Sequence, residues 1–164
     1  MSALRSAGCV ILAVLSGASP RPGESHFPLP TLQHQSLEQR VHDLVNRHRA
    51  SRRLAPLDHS VEIAEIARTH SRAMAGDRAP LGHRGFEARA DTIRQRIGFS
   101  AVAENVALND YPEAATVDTA VAGWLRSRGH RENIEGDYAV TGVGVVRDGR
   151  GRGTFFYTQI FVRR

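Results

Sequence analysis

Lysine is missing from this sequence: all 22 basic side chains are arginine, set against 17 acidic ones for a formal net charge of +5. The arginines are scattered rather than gathered in one block. No zinc-finger, RNA-recognition or basic-zipper pattern accompanies them, so no nucleic-acid partner is expected. A weaker attraction to anionic lipid heads or envelope polymers is compatible with such a surface. Cysteine occurs once, at Cys9, which excludes an internal disulfide. No apolar run approaches the ~20 residues that span a bilayer. Also absent are a Gly-x-Ser-x-Gly nucleophile elbow and a His-x-x-x-His helix pair of the kind that grips zinc. The 164 residues, 41% hydrophobic and 24% charged, suit one globular domain with a core and are too few for two.

What is present begins with a leader-like segment. Arg5 precedes an apolar run from Ala7 to Leu15, followed by the small residues Ser16, Gly17 and Ala18. That layout predicts a signal peptide over residues 1–18, cleaved after Ala18. A lipoprotein reading around Cys9 fits badly, because the apolar run follows the cysteine. Pro20, Pro22, Pro28 and Pro30 make residues 19–35 an extended linker. The domain itself is expected over residues 36–164.

Within it, Ser36-Leu-Glu-Gln39 resembles a capping box. Leu37, Val41, Leu44 and Val45 then recur at helical spacing, so a first helix is expected to about Arg52. After the loop Leu54-Ala-Pro-Leu57, a second helix is predicted from Ser60 to Ala75, with Ile63, Ala64, Ala67, Ser71 and Met74 on one face. Gly76-Asp77 ends it. A third covers Phe86 to Ile97, stopped by Gly98. Ala101 to Leu108 is a short apolar stretch interrupted by Glu104-Asn105. A fourth helix spans Ala114 to Ser127 and buries Val117, Val121, Trp124 and Leu125. The last thirty residues change character: Tyr138 to Arg147 and Gly153 to Val162 flank the glycine-rich turn Asp148-Gly-Arg-Gly-Arg-Gly153, which predicts an antiparallel hairpin. Helices first and a hairpin last make an α+β domain.

Several phrases now line up in order: Leu54-Ala-Pro-Leu57; Gly82-His83-x-Gly-Phe86-x-x-Arg89; Glu104-Asn105-Val106-Ala107; Trp124-x-x-Ser127 with Gly129-His130-Arg131-x-Asn133-Ile134; and Thr158-Gln159-Ile160-Phe161. In this order, over about residues 38 to 162, they resemble the bacterial, cysteine-free branch of the CAP superfamily, which groups cysteine-rich secretory proteins, antigen 5 proteins and plant pathogenesis-related proteins. The resemblance implies a three-layer α-β-α sandwich with an antiparallel central sheet and a shallow cleft. It also implies secretion or exposure at the envelope. In many members of that family the cleft holds two histidines and two glutamates. His83 and Glu104 match the first of each. The other two positions are Ser127 and Phe156 here, and the Gly-His-Arg-x-Asn phrase supplies His130 instead.

His83, Glu104 and His130 together are a fair ligand set for zinc or another divalent cation. Such binding needs neutral imidazoles and weakens toward the histidine pKa of about 6.5. Plainer readings stand beside this one. His83 can simply bond loop backbone. Glu104 can pair with Arg89 or Arg131, as a buried carboxylate must. His130 can meet the end of the fourth helix. Asn105 belongs to the Glu-Asn phrase of the cleft, Asn133 is placed to satisfy loop backbone, Arg131 to clamp a carboxylate, and Gln159 to bond across the cleft. Trp124 reads as core. His42, His48, His59 and His70 read as surface or half-buried residues without a role.

The leading functional expectation is a monomeric extracellular binding module whose cleft takes a divalent metal or small ligand and whose helical faces meet an envelope partner. Two alternatives accompany it. One is a weak hydrolase of peptide or cell-wall substrates using Glu104, His83 and His130, with Glu104 as base toward water. The other is lipid or sterol binding between helices.

Overall fold

The computed structural model describes residues 36–151 and 153–164. The signal peptide and linker expected over residues 1–18 and 19–35, Cys9 included, lie outside the described residues. The order of elements is α1 (Leu37–Ser51), β1 (Asp58–His59), α2 (Val61–Ala75), α3 (Phe86–Ile97), β2 (Ala101–Asn109), α4 (Glu113–Arg126), α5 (Arg128–Glu135), β3 (Val140–Arg147) and β4 (Phe155–Arg163).

The helix starts follow from their caps. The Ser36 hydroxyl accepts from the Gln39 amide at 3.2 Å, satisfying one of the orphan donors of α1. Only half of the expected capping box forms, because the Gln39 side chain donates to Asp43 rather than reaching back. Ser60 caps α2 in the same way, accepting from Ile63 N at 3.3 Å.

The four strands lie in the order β1-β3-β4-β2. β3, β4 and β2 pair antiparallel, with Gln159 of β4 opposite Val143 on one side and Asn105 on the other. One pairing departs from the antiparallel sheet expected: β1 runs parallel to β3. It is a stub of the α1–α2 connection that borrows the free edge of β3 through Asp58 N to Ala139 O (2.8 Å) and Ser60 N to Thr141 O (2.9 Å).

β4 is buried on both faces and sorts its side chains by parity. Phe155, Tyr157 and Phe161 meet Val41, Val45, Val117, Val121, Trp124 and Ile134 from α1, α4 and α5. Ile160 and Val162 meet Ile63, Ala67 and Ile93 from α2 and α3, while Phe156 joins Met74. The result is the expected α-β-α sandwich, with Trp124 in the core at 2% exposure. Gly142 and Gly144 of β3 let α2 lie directly on the sheet: a Cβ on either would stand 2.2 Å from α2 backbone.

Arg49 ties the ends together. It is buried, and its guanidinium donates to Ala55 O (2.8 Å), Ile134 O (2.7 Å), Gly136 O (2.9 Å) and Tyr138 O (3.4 Å), collecting carbonyls from the α1–β1 loop and the C-terminal end of α5. No helix among the described residues is long and apolar enough to cross a membrane.

Candidate functional site

β2 is an edge strand, and its alternation sends Glu104 toward α2 and α3 and Asn105 toward α5. The Glu104 side chain is 1% exposed. An ionic group at that depth has to be matched, and Arg89 matches it in a bidentate pair: Nε donates to Oε2 and Nη2 to Oε1, both at 2.7 Å. The third corner of the guanidinium, Nη1, donates to Arg84 O at 3.0 Å and to His70 Nδ1 at 3.2 Å.

These contacts fix the protonation of His70. Its Nε2 stands 2.8 Å from Gly82 O, which can only accept, so Nε2 carries the proton. Nδ1 is therefore a lone pair facing Arg89. Burial lowers the His70 pKa below its ordinary 6.5, and the Arg89 charge lowers it further, against the opposing pull of the Gly82 carbonyl.

His83 sits in the turn from His83 to Phe86, closed by Phe86 N to His83 O at 2.9 Å. Gly85 adopts φ 77°, ψ 14° there, the third position of a turn that demands positive φ. The turn brings His83 Nδ1 to 3.0 Å from Glu104 Oε1. The carboxylate accepts, so Nδ1 donates and Nε2 keeps the lone pair of the neutral ring. Glu104 is buried while the His83 side chain is 54% exposed, so that lone pair is offered to the outside.

His130 meets β2 through its backbone, its carbonyl accepting from Asn105. It belongs to α5, not to the end of α4, and its Nδ1 is 2.8 Å from Ser127 Oγ. Burial lowers its pKa, and a charge on His83 lowers it further. Asn105 and Asn133 secure this half. Asn105 Nδ2 donates to His130 O at 3.0 Å, and Asn133 Nδ2 donates to Asn105 Oδ1 at 2.9 Å and Glu104 O at 3.3 Å. Asn133 thus satisfies strand backbone, at Glu104 of β2, rather than the loop backbone expected. Arg131 does not clamp a carboxylate; Nη1 donates to Leu125 O at 2.9 Å, binding α5 back to α4. Gln159 is fully buried inside the sandwich, and its amide donates to Thr141 Oγ1 at 3.1 Å. Phe156 packs with Met74 and offers no donor atom.

The sequence reading of His70 as a surface or half-buried residue is corrected: it is 5% exposed and hydrogen-bonded to Gly82 O and Arg89. The signal was present. His70 follows Ala67 by three residues and precedes Met74 by four, which places it on the buried stripe of α2.

As they stand, these residues do not fit a divalent cation. Glu104 Oε1 already accepts from Arg89 and His83, and Oε2 from Arg89. His130 Nδ1 is taken up with Ser127 Oγ. Among the described residues, no three His, Cys, Asp or Glu side chains converge on one point at ligating distance.

A second feature adjoins the network. A groove of about 470 Å³ is lined by Glu65, Ile66, Thr69, His70 and Ala73 of α2 and by Ala88, Arg89, Thr92 and Arg96 of α3. Ala79 and Arg84 complete the lining.

Fold, motif order and site together define a CAP domain, and the chain belongs to the cysteine-rich secretory protein family: the model of that family matches residues 42–161. Among curated proteins it is 33% identical over 131 residues to the uncharacterized membrane protein YlbC of Bacillus subtilis. That match covers 77% of this chain and 34% of YlbC, so the chain spans about a third of that relative. Among solved structures it resembles an extracellular SCP-domain protein of Bacillus anthracis strain Ames, with a TM-score of 0.64 and 29% identity over 78% of this chain and 40% of that one. An outer surface protein of Borrelia burgdorferi shares the fold at a TM-score of 0.64 and 17% identity, over 77% of this chain and 91% of that one.

Proposed function

We propose that this is an extracellular CAP domain that works as a binding module, and that its ligand is a small amphiphile with an apolar body and an anionic group. The groove between α2 and α3 carries this reading. Its volume, about 470 Å³, lies in the range of small-molecule sites. Ile66, Ala73, Ala79 and Ala88 supply apolar lining, and the guanidiniums of Arg84 and Arg96 in the same lining suit a carboxylate or phosphate. Extracellular placement is supported by the nature of the structural relatives.

The test is displacement of an environment-sensitive fluorophore by dodecyl phosphate, with dodecanol as the neutral counterpart. Saturable binding that favours the phosphate is expected. Ala73→Trp fills the groove and abolishes it, while Arg84→Ala with Arg96→Ala removes the preference for the anion. Binding untouched by Ala73→Trp refutes the reading.

A hydrolase reading has one observation in its favour: Glu104 orients His83 so that Nε2 is free to act as a base. Glu104 itself is a poor base toward water, being buried and bonded through both oxygens. Turnover of a peptide or cell-wall polymer that disappears in folded His83→Ala would establish this second reading.

A further inference from the structure

Among the described residues four large apolar side chains are exposed, Val61, Leu81, Leu108 and Tyr111, and three of them gather at one end of the sandwich. We propose that this end is a membrane-contact surface. Leu81, Leu108 and Tyr111 enter the interfacial layer of a phospholipid bilayer, and Arg78 and Arg84 meet its phosphates.

Strand register defines this end. Asn109, the last but exposed-side neighbour of Leu108 in β2, and Arg147, the last residue of β3, both stand opposite Phe155, the first of β4. α2 runs the same way as β3: a Cβ on Gly142 would meet Ile63 and Ala64, and one on Gly144 would meet Ala67 and Arg68. The C-terminal residues Met74 and Ala75 of α2 therefore reach Val106 and Phe156, and Ala79 of the following loop packs on that cluster. Leu108 shares the sheet face of Val106 by strand alternation and stands opposite Phe156. Leu81 comes two residues after Ala79, so it and Leu108 emerge at the same end of the sandwich. Tyr111 follows where β2 gives way to α4. Val61 opens α2 at the far end, about 20 Å away along the helix.

Leu81 is held outward. The loop that carries it is bonded on both sides, through Arg78 N to Ala73 O (2.8 Å), His70 Nε2 to Gly82 O (2.8 Å) and Arg89 Nη1 to Arg84 O (3.0 Å). Apolar side chains scattered singly over a surface are ordinary; their collection at one end calls for an occupant. Polar residues separate the tips: Arg78 and Arg84 flank Leu81, and Asn109 and Asp110 lie between Leu108 and Tyr111. A protein partner is met by a contiguous apolar core. A bilayer interface instead accepts separate tips, takes tyrosine at headgroup depth and lets arginine reach phosphate. Arg78 and Arg84 are exposed and form no ion pair among the described residues. Asp77 is paired with Arg150, while Asp110 and Glu113 offset part of the positive charge. Apolar entry therefore leads, and the net charge of +5 adds a preference for anionic lipid. The groove between α2 and α3 need hold no ligand for this contact.

The test uses the full chain carrying Cys9→Ser, with one cysteine introduced for an environment-sensitive fluorophore by Leu81→Cys, Leu108→Cys or Val61→Cys. All three positions are exposed, so the fold should survive. Vesicles are phosphatidylcholine with phosphatidylglycerol, or phosphatidylcholine alone. The Leu81→Cys and Leu108→Cys labels are expected to brighten and shift to the blue with the mixed vesicles, and the Val61→Cys label to stay as in buffer. Each buried methylene is worth about fourfold in partition. Leu81→Ser, read through the Leu108→Cys label, should therefore raise the lipid concentration at half-saturation by about tenfold. Arg78→Ser with Arg84→Ser should raise it by about fivefold per arginine in the mixed vesicles. Monomeric dodecyl phosphate, the probe of the groove, should leave both labels unchanged. A dark label at either leucine position, equal brightening from Val61→Cys, or a midpoint indifferent to Leu81→Ser overturns the proposal. So does a response to dodecyl phosphate as large as that to vesicles, which assigns the signal to the groove.

Discussion

Replacing Gly144 by alanine should damage this protein far more than one methyl group suggests. The added Cβ would stand 2.2 Å from Arg68 N, 2.3 Å from Arg68 Cα and 2.5 Å from Ala67 C. All three are backbone atoms of α2, so no side chain can swing aside. To restore an ordinary carbon contact of about 3.5 Å, α2 has to lift by on the order of 1 Å. Overpacking of this kind costs about 1–3 kcal/mol. The lift also strains the buried Ser71 hydroxyl, which sits 2.9 Å from both Gly144 O and Thr158 Oγ1. A buried hydroxyl left without partners costs about 1–3 kcal/mol more. Against these, alanine restricts the unfolded chain and returns about 0.4–1 kcal/mol. The net expectation is a loss of about 3 kcal/mol, a large share of the total stability of one domain. Urea unfolding followed by tryptophan fluorescence of Trp124 measures it; with a slope of about 2 kcal/mol/M the midpoint falls by about 1.5 M. Gly123→Ala is the control. It lies in α4 with nothing within 4 Å of the new Cβ, so the same change there should stabilise by about 0.5–1 kcal/mol. An unchanged or raised midpoint for Gly144→Ala, at unchanged slope, refutes the claim that α2 rests on bare β3 backbone.

Arg49→Ala should cost about 2–4 kcal/mol, because its removal strands the buried Ile134 carbonyl and loses the part-buried bonds to Ala55 O and Gly136 O; the urea midpoint reads the loss, and protease nicking near Gly136 should rise with it. Stability should also fall on acidification below about pH 6.5. His70 and His130 both have folded-state pKa values depressed by burial. A depressed base favours the neutral ring in the folded state, so its contribution is complete above the unfolded value and is lost as pH drops toward the folded one. Urea midpoints at pH 8 and pH 5.5 should differ in that sense, and less so in His70→Gln; a higher midpoint at pH 5.5 contradicts the assignment of neutral rings.

The parts that could be read from sequence are those in which one face is buried and the other wet. α1, α2, α3 and α4 carry apolar residues at helical spacing, and their ends fall within a residue or two of those expected. The hairpin of β3 and β4 announced itself through valine, aromatic residues and a glycine-rich turn. β2 did not, because Glu104, Asn105 and Val106 at its centre are all buried. Alternation vanishes where both faces are covered, and two polar side chains there look like an interruption. α5 was missed for the opposite reason: of Arg128-Gly-His-Arg-Glu-Asn-Ile-Glu135, only Ile134 is buried, so the segment has no apolar stripe. Its placement comes from side chains reaching its backbone, Arg49 to Ile134 O and Asn105 to His130 O. β1 is two residues long and exists only as an addition to β3.

The site itself was half legible, and the missing half depends on packing. Glu104 and His83 could be chosen from their motif, and Arg89 could be named as a partner for the carboxylate. His70 could not be chosen by motif, because its role arises from where α2 rests. Gly142 and Gly144 set the height of α2 on the sheet. That height places His70 between Gly82 O and Arg89, and the His70 lone pair then gives Arg89 Nη1 an acceptor on the side away from Glu104. A guanidinium held at all three corners has little freedom to release the carboxylate. The bareness of β3 backbone thus bears on the charge state of the site about as directly as the charged residues do. A variant such as Gly144→Ala should therefore disturb His70 and Arg89 before it unfolds the domain, visible as a shift in the His70 ring resonances at urea concentrations well below the unfolding midpoint.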